Sequence, residues 1–317
     1  MNHQVLLLES LTAGAEEYLE QHCLVLKPEK LSNVKDLTKG HFINAIITRG
    51  KGQVTRDLID ACGTELKIIA RSGVGLDNVD VIYASQKQIK VVNAPGINAA
   101  TVAEHTMTLL LMLQRKMVAQ THAVASGAWS FRNEYDGDEI RGKTLGILGM
   151  GDIGSQVARM AEIFGMQVIY WDIQQKSVHY PLKKMDDLLS DSDIITIHLP
   201  LLESTKNLIS HDAFQKMKPN AIVINCARGG IVDQEALYEA LSKNRIEAFG
   251  ADVLSEEPPA PDEPLLALPN VLITPHSASL TRKTFDDMCM ITVHNVIKAL
   301  NNEDIDKRFI FNHNSIT

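Results

Sequence analysis

The chain has 317 residues, enough for about two domains, and its 45% hydrophobic content suffices for two ordinary globular cores. Its formal net charge of -8 argues against a nucleic-acid partner, because such a partner requires a basic face. The four cysteines are scattered without a Cys-x-x-Cys pair, which fits a reducing cytoplasm and gives no zinc framework.

The sequence also gives no sign of targeting to a membrane. The first ten residues lack a basic region followed by a long apolar core, so we expect no signal peptide. Residues 107–113 form the most apolar later stretch, but they are too few to cross a bilayer and indicate a buried helix. We therefore expect a cytoplasmic protein with no membrane partner.

The first hundred residues alternate short apolar runs with helical patterns. Such alternation predicts a small α/β domain whose parallel sheet is covered by helices on both faces. The predicted strands are 5–8, 23–26, 45–48, 68–70 and 91–93, and the predicted helices are 15–22, 54–62 and 81–88.

Two places in this domain could bind an anion. Arg49 follows the predicted strand 45–48, and ligands of open α/β sheets collect at the carboxyl ends of strands. Its guanidinium could hold a carboxylate or phosphate, although its position alone fits a solvated loop arginine equally well. After strand 68–70, Gly73 and Gly75 could turn backbone N–H groups toward an anion, or could form an ordinary turn.

A break at 93–96 precedes a long predicted helix over 101–122, which we expect to carry the chain into the next domain. Residues 123–143 form an irregular segment. Trp129 in this segment has no evident chemical role, and we expect it to pack on a partner helix or subunit.

A glycine motif organises the second half of the chain. Gly149, Gly151 and Gly154 form Gly-x-Gly-x-x-Gly between an apolar strand and a helical pattern. Gly149 permits a tight turn, Gly151 lets the backbone approach a pyrophosphate, and Gly154 lets the helix lie close to the sheet. Free N–H groups at the start of that helix favour phosphate binding.

The motif alone is a weak signal, because any glycine-rich turn can contain it. A second strand at 168–171 ends in Asp172, about twenty residues beyond the glycines, where a carboxylate can bind a ribose hydroxyl. This order of elements favours dinucleotide binding over an ordinary turn with a surface aspartate. Asp172 also favours NAD, because its charge would repel a 2′-phosphate and no arginine follows it directly.

Strand and helix patterns alternate again after Asp172. Asp233 is a good N-cap for the helix that follows it. We expect the tail at 305–317 to return to the first domain, because the chain of a two-domain protein often crosses between its domains twice. The predicted strands are 194–199, 221–225, 248–253 and 271–274, and the predicted helices are 185–189, 234–241 and 283–300.

Four polar residues stand just past predicted strands of the second domain, namely Arg228, Asp252, Glu257 and His276. By the strand-end rule they should face the same crevice as the glycine loop. The set fits the reduction of a 2-oxo acid, which needs a hydride donor, a proton donor and a group that holds the carboxylate.

Three of these four side chains have a natural role in that reaction. His276 is the proton donor, because imidazole exchanges protons near neutral pH. Glu257 would orient the imidazole and favour its charged form. Arg228 is always charged and can hold the carboxylate or polarise the oxo group.

Each residue also has a simpler interpretation. His276 could be a packed loop histidine, and Glu257 could belong to a solvated acidic, proline-rich loop. Arg228 could be a structural turn residue, and Asp252 could be a cap. Taken together, and with a nucleotide site upstream, the four residues favour an active site.

At this point the sequence resembles the D-isomer-specific 2-hydroxyacid dehydrogenase family, nearly from end to end. The run NCARGGIVD at 225–233 is a highly specific signature of that family. The resemblance is greatest to the phosphoglycerate dehydrogenases, with glyoxylate/hydroxypyruvate reductases and D-lactate dehydrogenases as relatives. The matching stretches are 71–80, 142–154, 223–233, 250–258 and 274–279.

The resemblance implies an α/β fold in which a Rossmann doubly wound parallel sheet is inserted in a smaller flavodoxin-like domain. The Rossmann domain would comprise residues 99–287, and the substrate-binding domain would comprise 1–98 and 288–317. The resemblance also implies NAD as cofactor, a small 2-hydroxy or 2-oxo acid as substrate, and a homodimer through the nucleotide-binding domains. Residues 101–122 would lie in the dimer contact.

Roles for individual residues follow from the same resemblance. Arg228, Glu257 and His276 would be the catalytic trio, with His276 as the acid/base. Backbone at Val74 and Gly75 would bind the substrate carboxylate, and Arg49 matches a position that helps to hold phosphoglycerate. The implied NAD contacts are Val74, Gly149, Gly151, Asp152, Ile153, Gly154, Asp172, Leu199, Pro200, Cys226, Ala227, Asp252 and Ser279.

The expected reaction is oxidation of 3-phospho-D-glycerate to 3-phosphohydroxypyruvate, a step of serine biosynthesis. Reduction of glyoxylate or hydroxypyruvate is the alternative, and an NAD(H)-sensing corepressor-like binding protein is a more remote one. The segment 95–100 departs from the family's usual Asn-Gly-Asn pattern, which bears on substrate identity rather than reaction type. The sequence does not extend to a C-terminal regulatory domain, so serine feedback through one is not expected.

Overall fold

The computed structural model describes residues 3–30, Asp36, Thr38 and residues 40–316. The chain divides into two compact units. The first unit combines both chain ends, Met1–Asn98 and Leu280–Thr317, and the second unit is Ala99–Ser279. In the part of the chain that is described, no helix is long and apolar enough to cross a membrane.

The first unit is built on a five-stranded, all-parallel sheet with the order β2-β1-β3-β4-β5. This 2-1-3-4-5 order is that of flavodoxin-like folds. All five strands predicted in this region are present, and their ends differ from the predicted ones by at most two residues. They are β1 (Gln4–Leu7), β2 (Leu24–Leu26), β3 (Ile43–Thr48), β4 (Ile68–Arg71) and β5 (Lys90–Val92).

Helices cover both faces of this sheet, because alternate strand residues point to opposite sides. Val5 and Leu7 of β1 pack into one core, whereas Leu6 packs into the other. The first core is closed by α1 (Ala13–Glu20) and α10 (Arg282–Leu300), and the second by α2 (Arg56–Cys62) and α3 (Val81–Gln86).

The C-terminal tail returns to the first unit, as the sequence analysis expects. The N–H of Asn93 donates to the carbonyl of Phe309 at 3.1 Å, and the N–H of Phe311 donates to Val91 at 2.8 Å. The side chain of Asn312 accepts a hydrogen bond from the Val91 N–H at 2.9 Å. The tail therefore lines the edge of the sheet beside β5.

The second division of the chain falls at Ser279–Leu280, whereas the sequence analysis places it between residues 287 and 288. Helix α10 explains the difference. It is one continuous element that begins after Thr281, whose side chain accepts a hydrogen bond from the Thr284 N–H at 3.3 Å. A boundary after residue 287 would cut this helix within its second turn.

The second unit contains a six-stranded, all-parallel sheet with the order β11-β10-β9-β8-β6-β7. Leu182 makes a further isolated parallel bridge to Tyr170 of β7. If that bridge is counted as a rudimentary third strand, the seven strands have the order 3-2-1-4-5-6-7, and the first six of them follow the 3-2-1-4-5-6 order of the Rossmann fold. The strands are β6 (Thr144–Leu148), β7 (Gln167–Trp171), β8 (Ile194–Ile197), β9 (Ile222–Asn225), β10 (Ala248–Ala251) and β11 (Val271–Ile273).

Two hydrophobic cores lie on opposite faces of this sheet, so the unit is doubly wound. The side chain of Asp233 caps α9 as predicted, since it accepts a hydrogen bond from the Ala236 N–H at 3.1 Å. The helices are α4 (Ala99–Gln114), α5 (Met117–Ala125), α6 (Asp152–Ile163), α7 (Met185–Asp191), α8 (His211–Lys216) and α9 (Gln234–Ser242).

The single helix predicted over 101–122 is wrong, because two helices occupy this region. Lys116 adopts a left-handed backbone with φ of 46°, which separates α4 from α5. The carbonyl of Arg115 accepts hydrogen bonds from the side chains of Tyr135, at 3.2 Å, and Gln120, at 2.6 Å. These side chains satisfy a carbonyl that would otherwise bond within a continuous helix.

Candidate active site

The glycine loop between β6 and α6 requires two of its glycines for its own packing. Gly149 has a φ of 96°, and a methyl group there would lie 2.6 Å from the carbonyl oxygen of His198. A methyl group at Gly154 would lie 2.1 Å from the carbonyl oxygen of Gly149. Only glycine therefore permits the tight turn and the close approach of the helix.

Gly151 differs from the other two glycines. A methyl group built there would have no described heavy atom within 4 Å, so folding does not require glycine at this position. Its small size leaves room directly in front of the first turn of α6, which contains Asp152 and Ile153. No side chain of a described residue caps this helix N-terminus, and its N–H groups suit a pyrophosphate.

Asp172 follows β7 and is tied to the glycine loop. Its carboxylate accepts hydrogen bonds from the N–H of Met150, at 3.0 Å, and from the N–H of Gln174, at 3.2 Å. Lys176, which the sequence analysis did not single out, has its ammonium 3.5 Å from the same carboxylate. A carboxylate has about four acceptor positions, so Asp172 retains capacity for ribose hydroxyls.

The ends of β8 and β9 supply the next predicted cofactor contacts. The side chain of Leu199 lies beside the glycine loop, 2.9 Å from a methyl group placed at Gly149. The carbonyl of Pro200 accepts a hydrogen bond from the Thr205 hydroxyl at 2.6 Å. Cys226 is buried, and burial raises the pKa of its thiol to about 12, so it packs as a neutral side chain.

The buried side chain of Asn225 shapes the loop that carries Arg228. Its amide oxygen accepts from the Ala227 N–H at 3.0 Å, and its amide nitrogen donates to the Arg228 carbonyl at 3.0 Å. A methyl group at Gly229 would lie 1.9 Å from the carbonyl carbon of Leu254. Glycine at 229 therefore lets this loop pack closely against the backbone at Leu254 and Ser255, which leads to Glu257.

Glu257 and His276 form a close pair. Nδ1 of His276 lies 2.6 Å from Oε2 of Glu257, and Oε1 of Glu257 accepts from the Leu254 N–H at 3.1 Å. Burial alone would raise the pKa of Glu257, but the hydrogen bond with His276, the Leu254 N–H and the charge of Arg228 outweigh it. The pKa of Glu257 therefore lies below its usual value, and the carboxylate is ionised at neutral pH.

The segment around His276 is held by Asp252, which is 2% exposed. The Asp252 carboxylate accepts hydrogen bonds from the Thr274 hydroxyl at 2.7 Å and from the N–H groups of Ser277 and Ala278 at 2.8 Å each. His276 has a left-handed φ of 52°, a conformation that persists only where its surroundings impose it. Asp252 thus positions the residues on both sides of His276, while its predicted contact with NAD remains a prediction. The same is true of Ser279, the last residue of the second unit.

Sequence reasoning missed one member of this network. Nε2 of His105, on helix α4, lies 2.9 Å from the Thr274 hydroxyl and 3.8 Å from the Asp252 carboxylate. His105 and Thr274 are 169 positions apart, and no local spacing links them. One feature of the sequence could have indicated His105: it is a polar residue at the edge of the buried face of α4, which is otherwise strongly apolar.

A second histidine stands near the glycine loop but is unsuited to proton transfer at neutral pH. His198 follows β8, and its Nε2 lies 3.0 Å from the Thr196 hydroxyl. Burial of its ring lowers its pKa to about 3, so the imidazole stays neutral. Of the two, His276 is the histidine with an ionised carboxylate partner.

In the first unit, Arg49 and the turn at Gly73 lie at the carboxyl ends of neighbouring strands β3 and β4. Nε of Arg71 donates to the Arg49 carbonyl at 2.7 Å, which ties the two loops together. The expectation that Gly73 offers its N–H to an anion is wrong, since that N–H donates to the Arg71 carbonyl at 3.0 Å. Val74 is 36% exposed, and its carbonyl accepts from Asn93 at 2.6 Å. The predicted substrate contact at Gly75 stays a prediction.

Comparison with known proteins agrees with this geometry. Residues 107–278 match the family described as D-isomer specific 2-hydroxyacid dehydrogenase, NAD binding domain. A D-3-phosphoglycerate dehydrogenase of Archaeoglobus fulgidus is 38% identical over 300 residues, which is 93% of this chain and 56% of that relative. A hydroxypyruvate reductase of Thermotoga maritima is 40% identical over 262 residues, 81% of this chain and 85% of that relative. A solved structure from Thermus thermophilus superposes with a TM-score of 0.89 at 33% identity, over 95% of this chain and 98% of that one.

The Rossmann sheet, the glycine loop and Asp172 define the second unit as a dinucleotide-binding domain, and NAD is the cofactor that this domain binds. The chain belongs to the D-isomer-specific 2-hydroxyacid dehydrogenase family. It spans about half the length of several phosphoglycerate dehydrogenases that it matches.

Proposed function

We propose that this protein interconverts a D-2-hydroxy acid and the corresponding 2-oxo acid with NAD. The observation that carries the proposal is the 2.6 Å contact between His276 Nδ1 and Glu257, next to the charge of Arg228. An ionised carboxylate that orients an imidazole is the arrangement that a general acid/base requires. Measuring NADH oxidation with a panel of 2-oxo acids tests the proposal, and a complete lack of turnover would reject it.

The proton chemistry follows from the pair. An ionised carboxylate only accepts hydrogen bonds, so Nδ1 of His276 carries the hydrogen that faces Glu257. The proton exchanged with the substrate oxygen is therefore on Nε2. Bound NADH supplies the hydride for reduction, and bound NAD⁺ accepts it in the reverse direction. Arg228 holds the substrate carboxylate or polarises its oxo group.

The remaining roles are proposed by family resemblance and by position. Asp172 holds the ribose, and the N–H groups at the start of α6 hold the pyrophosphate. Arg49 and backbone at Gly75 bind the substrate, and Val74 contacts both substrate and cofactor. The other residues proposed to line the NAD site are Gly149, Gly151, Asp152, Ile153, Gly154, Leu199, Pro200, Cys226, Ala227, Asp252 and Ser279.

For the substrate we propose 3-phospho-D-glycerate and its product 3-phosphohydroxypyruvate, which would place the enzyme in serine biosynthesis. Arg49 supports this choice, because it provides a fixed cation at the carboxyl end of β3. Relatives named D-3-phosphoglycerate dehydrogenase, which are 36–40% identical, support it as well.

Reduction of hydroxypyruvate or glyoxylate is the second candidate. It is favoured by relatives of matching length, since the chain covers 85% of the Thermotoga maritima hydroxypyruvate reductase and 81% of an Aeropyrum pernix glyoxylate reductase. These substrates carry a carboxylate but no phosphate, so the role of Arg49 separates the two candidates.

Arg49→Ala should raise the KM for 3-phosphohydroxypyruvate about 30-fold if a phosphate binds there, because a paired charge is lost at a cost of about 2 kcal/mol. The KM for glyoxylate should change less. Steady-state kinetics with both acids measure the difference. Arg56→Ala is the matched control, since Arg56 also stacks on an aromatic ring, at 4.6 Å from Tyr83. Equal effects of Arg49→Ala on both acids would contradict the phosphate assignment.

We also propose a homodimer built on the second unit. Helix α5 and the short 3₁₀ helix Trp129–Asn133 expose large apolar side chains, which are Met117, Val118, Val124 and Trp129 at 45%, 54%, 58% and 68%. The sequence analysis expects Trp129 to pack on a partner helix or on another subunit, and because its side chain is exposed in the single chain, we favour the subunit contact. Exposed apolar clusters of this kind are typical of protein interfaces.

Val124→Asp should convert a dimer to a monomer, because it buries an unpaired charge in the proposed contact. Light scattering coupled to gel filtration measures the mass, which should fall from twice that of one chain to that of one chain. Ile163→Asp is the control, since Ile163 is 85% exposed on a different helix, α6. A wild-type monomer, or a Val124→Asp dimer, would exclude this interface.

A further inference from the structure

The loop that carries Arg49 is wrapped around the side chain of Glu9. The carboxylate of Glu9, just after β1, accepts hydrogen bonds from four consecutive backbone N–H groups. Its Oε2 lies 3.2 Å from the nitrogen of Arg49, 2.9 Å from Gly50, 2.8 Å from Lys51 and 3.0 Å from Gly52. Consecutive N–H groups that converge in this way form an anion-binding nest, and here the protein's own carboxylate fills it.

The other side of the same loop is fixed by Asn78. The carbonyl of Gly52 accepts hydrogen bonds from the Asn78 amide and the Thr48 hydroxyl, both at 2.7 Å. A methyl group at Gly52 would lie 2.7 Å from that hydroxyl and 2.8 Å from the Leu8 side chain. The loop is therefore held between Glu9 on its N–H side and buried polar groups on its carbonyl side.

Glu9 also belongs to the segment that holds the Arg49 side chain. Nη1 of Arg49 donates to the carbonyl of Ser10 at 3.0 Å, and the guanidinium stacks on the ring of Phe285 at 4.4 Å. The two contacts leave the half-buried guanidinium with further N–H donors for a ligand. The backbone N–H of Arg49 thus donates to Glu9, and its guanidinium donates to Ser10, the residue that follows Glu9.

We propose that Glu9 is a positioning residue for substrate binding: its carboxylate occupies the nest of loop 49–52 and so fixes the guanidinium of Arg49 toward the anionic group of the substrate. Because the nest is already filled, the substrate anion binds the Arg49 side chain rather than the loop N–H groups. This inference rests on the proposed function, in which Arg49 is a substrate-binding residue.

The charge of Glu9 is as important as its shape. Burial alone would raise the pKa of Glu9, but the hydrogen bonds from Lys51, Gly52, Gly50 and Arg49 outweigh it and lower the pKa. The carboxylate is therefore ionised throughout the neutral range. A neutral amide at this position could accept only through its oxygen, and its NH₂ group would face other donors.

The first test separates KM from kcat. Glu9→Ala should raise the KM for 3-phosphohydroxypyruvate about tenfold or more, because the loop that carries Arg49 loses its charge-assisted hydrogen bonds. The kcat for the same acid should stay within about twofold. Glu9→Gln keeps the size of the side chain and should give a smaller rise. Tens of millimolar acetate should lower the raised KM of Glu9→Ala by refilling the nest. Acetate should not lower the KM of the wild-type enzyme, and sodium chloride at equal ionic strength should not rescue the variant.

Glu16→Ala is the matched control. Glu16 also accepts a hydrogen bond from a backbone N–H of the first unit, that of Leu11 at 2.7 Å, and it bonds Lys27 rather than loop 49–52. This variant should lose stability without a change in KM. In the double variant, Glu9→Ala added to Arg49→Ala should raise KM no further, because Glu9 acts through Arg49.

Three results would overturn the inference in an active enzyme: an unchanged KM in folded Glu9→Ala, an equal fall in kcat, or effects that add in the double variant. A raised KM that acetate does not lower would also count against it. Failure of the proposed function looks different, because the wild-type protein would then turn over no 2-oxo acid at all.

Discussion

Replacing His276 with alanine should lower the rate of 2-oxo acid reduction and of 2-hydroxy acid oxidation about 10²- to 10⁴-fold, the usual contribution of a general acid/base. The substitution removes the proton donor to the substrate oxygen and leaves the glycine loop untouched. The dissociation constant for NADH should therefore stay close to that of the wild type. Steady-state kinetics and calorimetric titration with NADH measure the two quantities separately.

His211→Ala is the control for this experiment. His211 also faces a carboxylate, with its Nε2 3.7 Å from Glu239, but both side chains are largely exposed on the surface. Its loss should leave the rate unchanged. If His276→Ala retained a rate within threefold of the wild type, the acid/base assignment would be wrong. A threefold change corresponds to only roughly 0.6 kcal/mol of activation free energy.

The charge of Glu257 should affect the stability of the fold at acidic pH rather than the pH dependence of the rate near neutrality. The pKa of Glu257 is lowered in the folded protein, so its pairing stabilises the fold above the ordinary pKa of glutamate. That stabilisation is lost as the pH falls through the lowered pKa. Activity near neutral pH therefore does not depend on Glu257 titration, and Glu257→Gln should reduce the rate at every pH in that range.

Gly151→Ala should weaken NADH binding about 10- to 100-fold without lowering the melting temperature. The new methyl group meets no described atom within 4 Å, so the fold accommodates it, but it occupies the space in front of helix α6. Overpacking against a bound group costs about 1–3 kcal/mol. Calorimetric titration and thermal unfolding measure both effects.

Gly154→Ala should weaken NADH binding and also lower the melting temperature, because its methyl group would lie 2.1 Å from the Gly149 carbonyl oxygen.

Gly14→Ala is the matched control for Gly151→Ala, since Gly14 also faces open space but lies in helix α1 of the first unit. It should change neither NADH affinity nor activity. Unchanged affinity in Gly151→Ala would exclude this loop as the pyrophosphate site.

Much of the fold could be predicted because local patterns in this chain agree with the tertiary structure. Buried parallel strands appear as continuous apolar runs, and the glycine motif, Asp172 and Asp233 mark the turns and helix starts around them. The break between α4 and α5 was missed in part because one of the two side chains that bond the Arg115 carbonyl is distant in sequence. Tyr135 captures the Arg115 carbonyl from twenty positions away.

The residues of the candidate site could be predicted from the sequence, but the hydrogen bonds that hold them in place could not. Arg228, Glu257 and His276 could be selected because each follows a predicted strand and each has suitable chemistry. The structure adds that Asp252 is engaged by the His276 segment and that His105 supports the same network. It also places Glu9 in the nest that would otherwise be assigned to a ligand.

The sequence by itself determined the order of the strands along the chain, the glycine turn and the residue types available for hydride and proton chemistry. These properties depend on side-chain size, polarity and short-range spacing, all of which can be read directly from the sequence. Only the tertiary structure decided that Glu257 meets His276 at 2.6 Å and that four N–H groups close on Glu9. Contacts of this kind depend on how distant loops pack, and a hydrogen bond is formed or lost within about 0.5 Å.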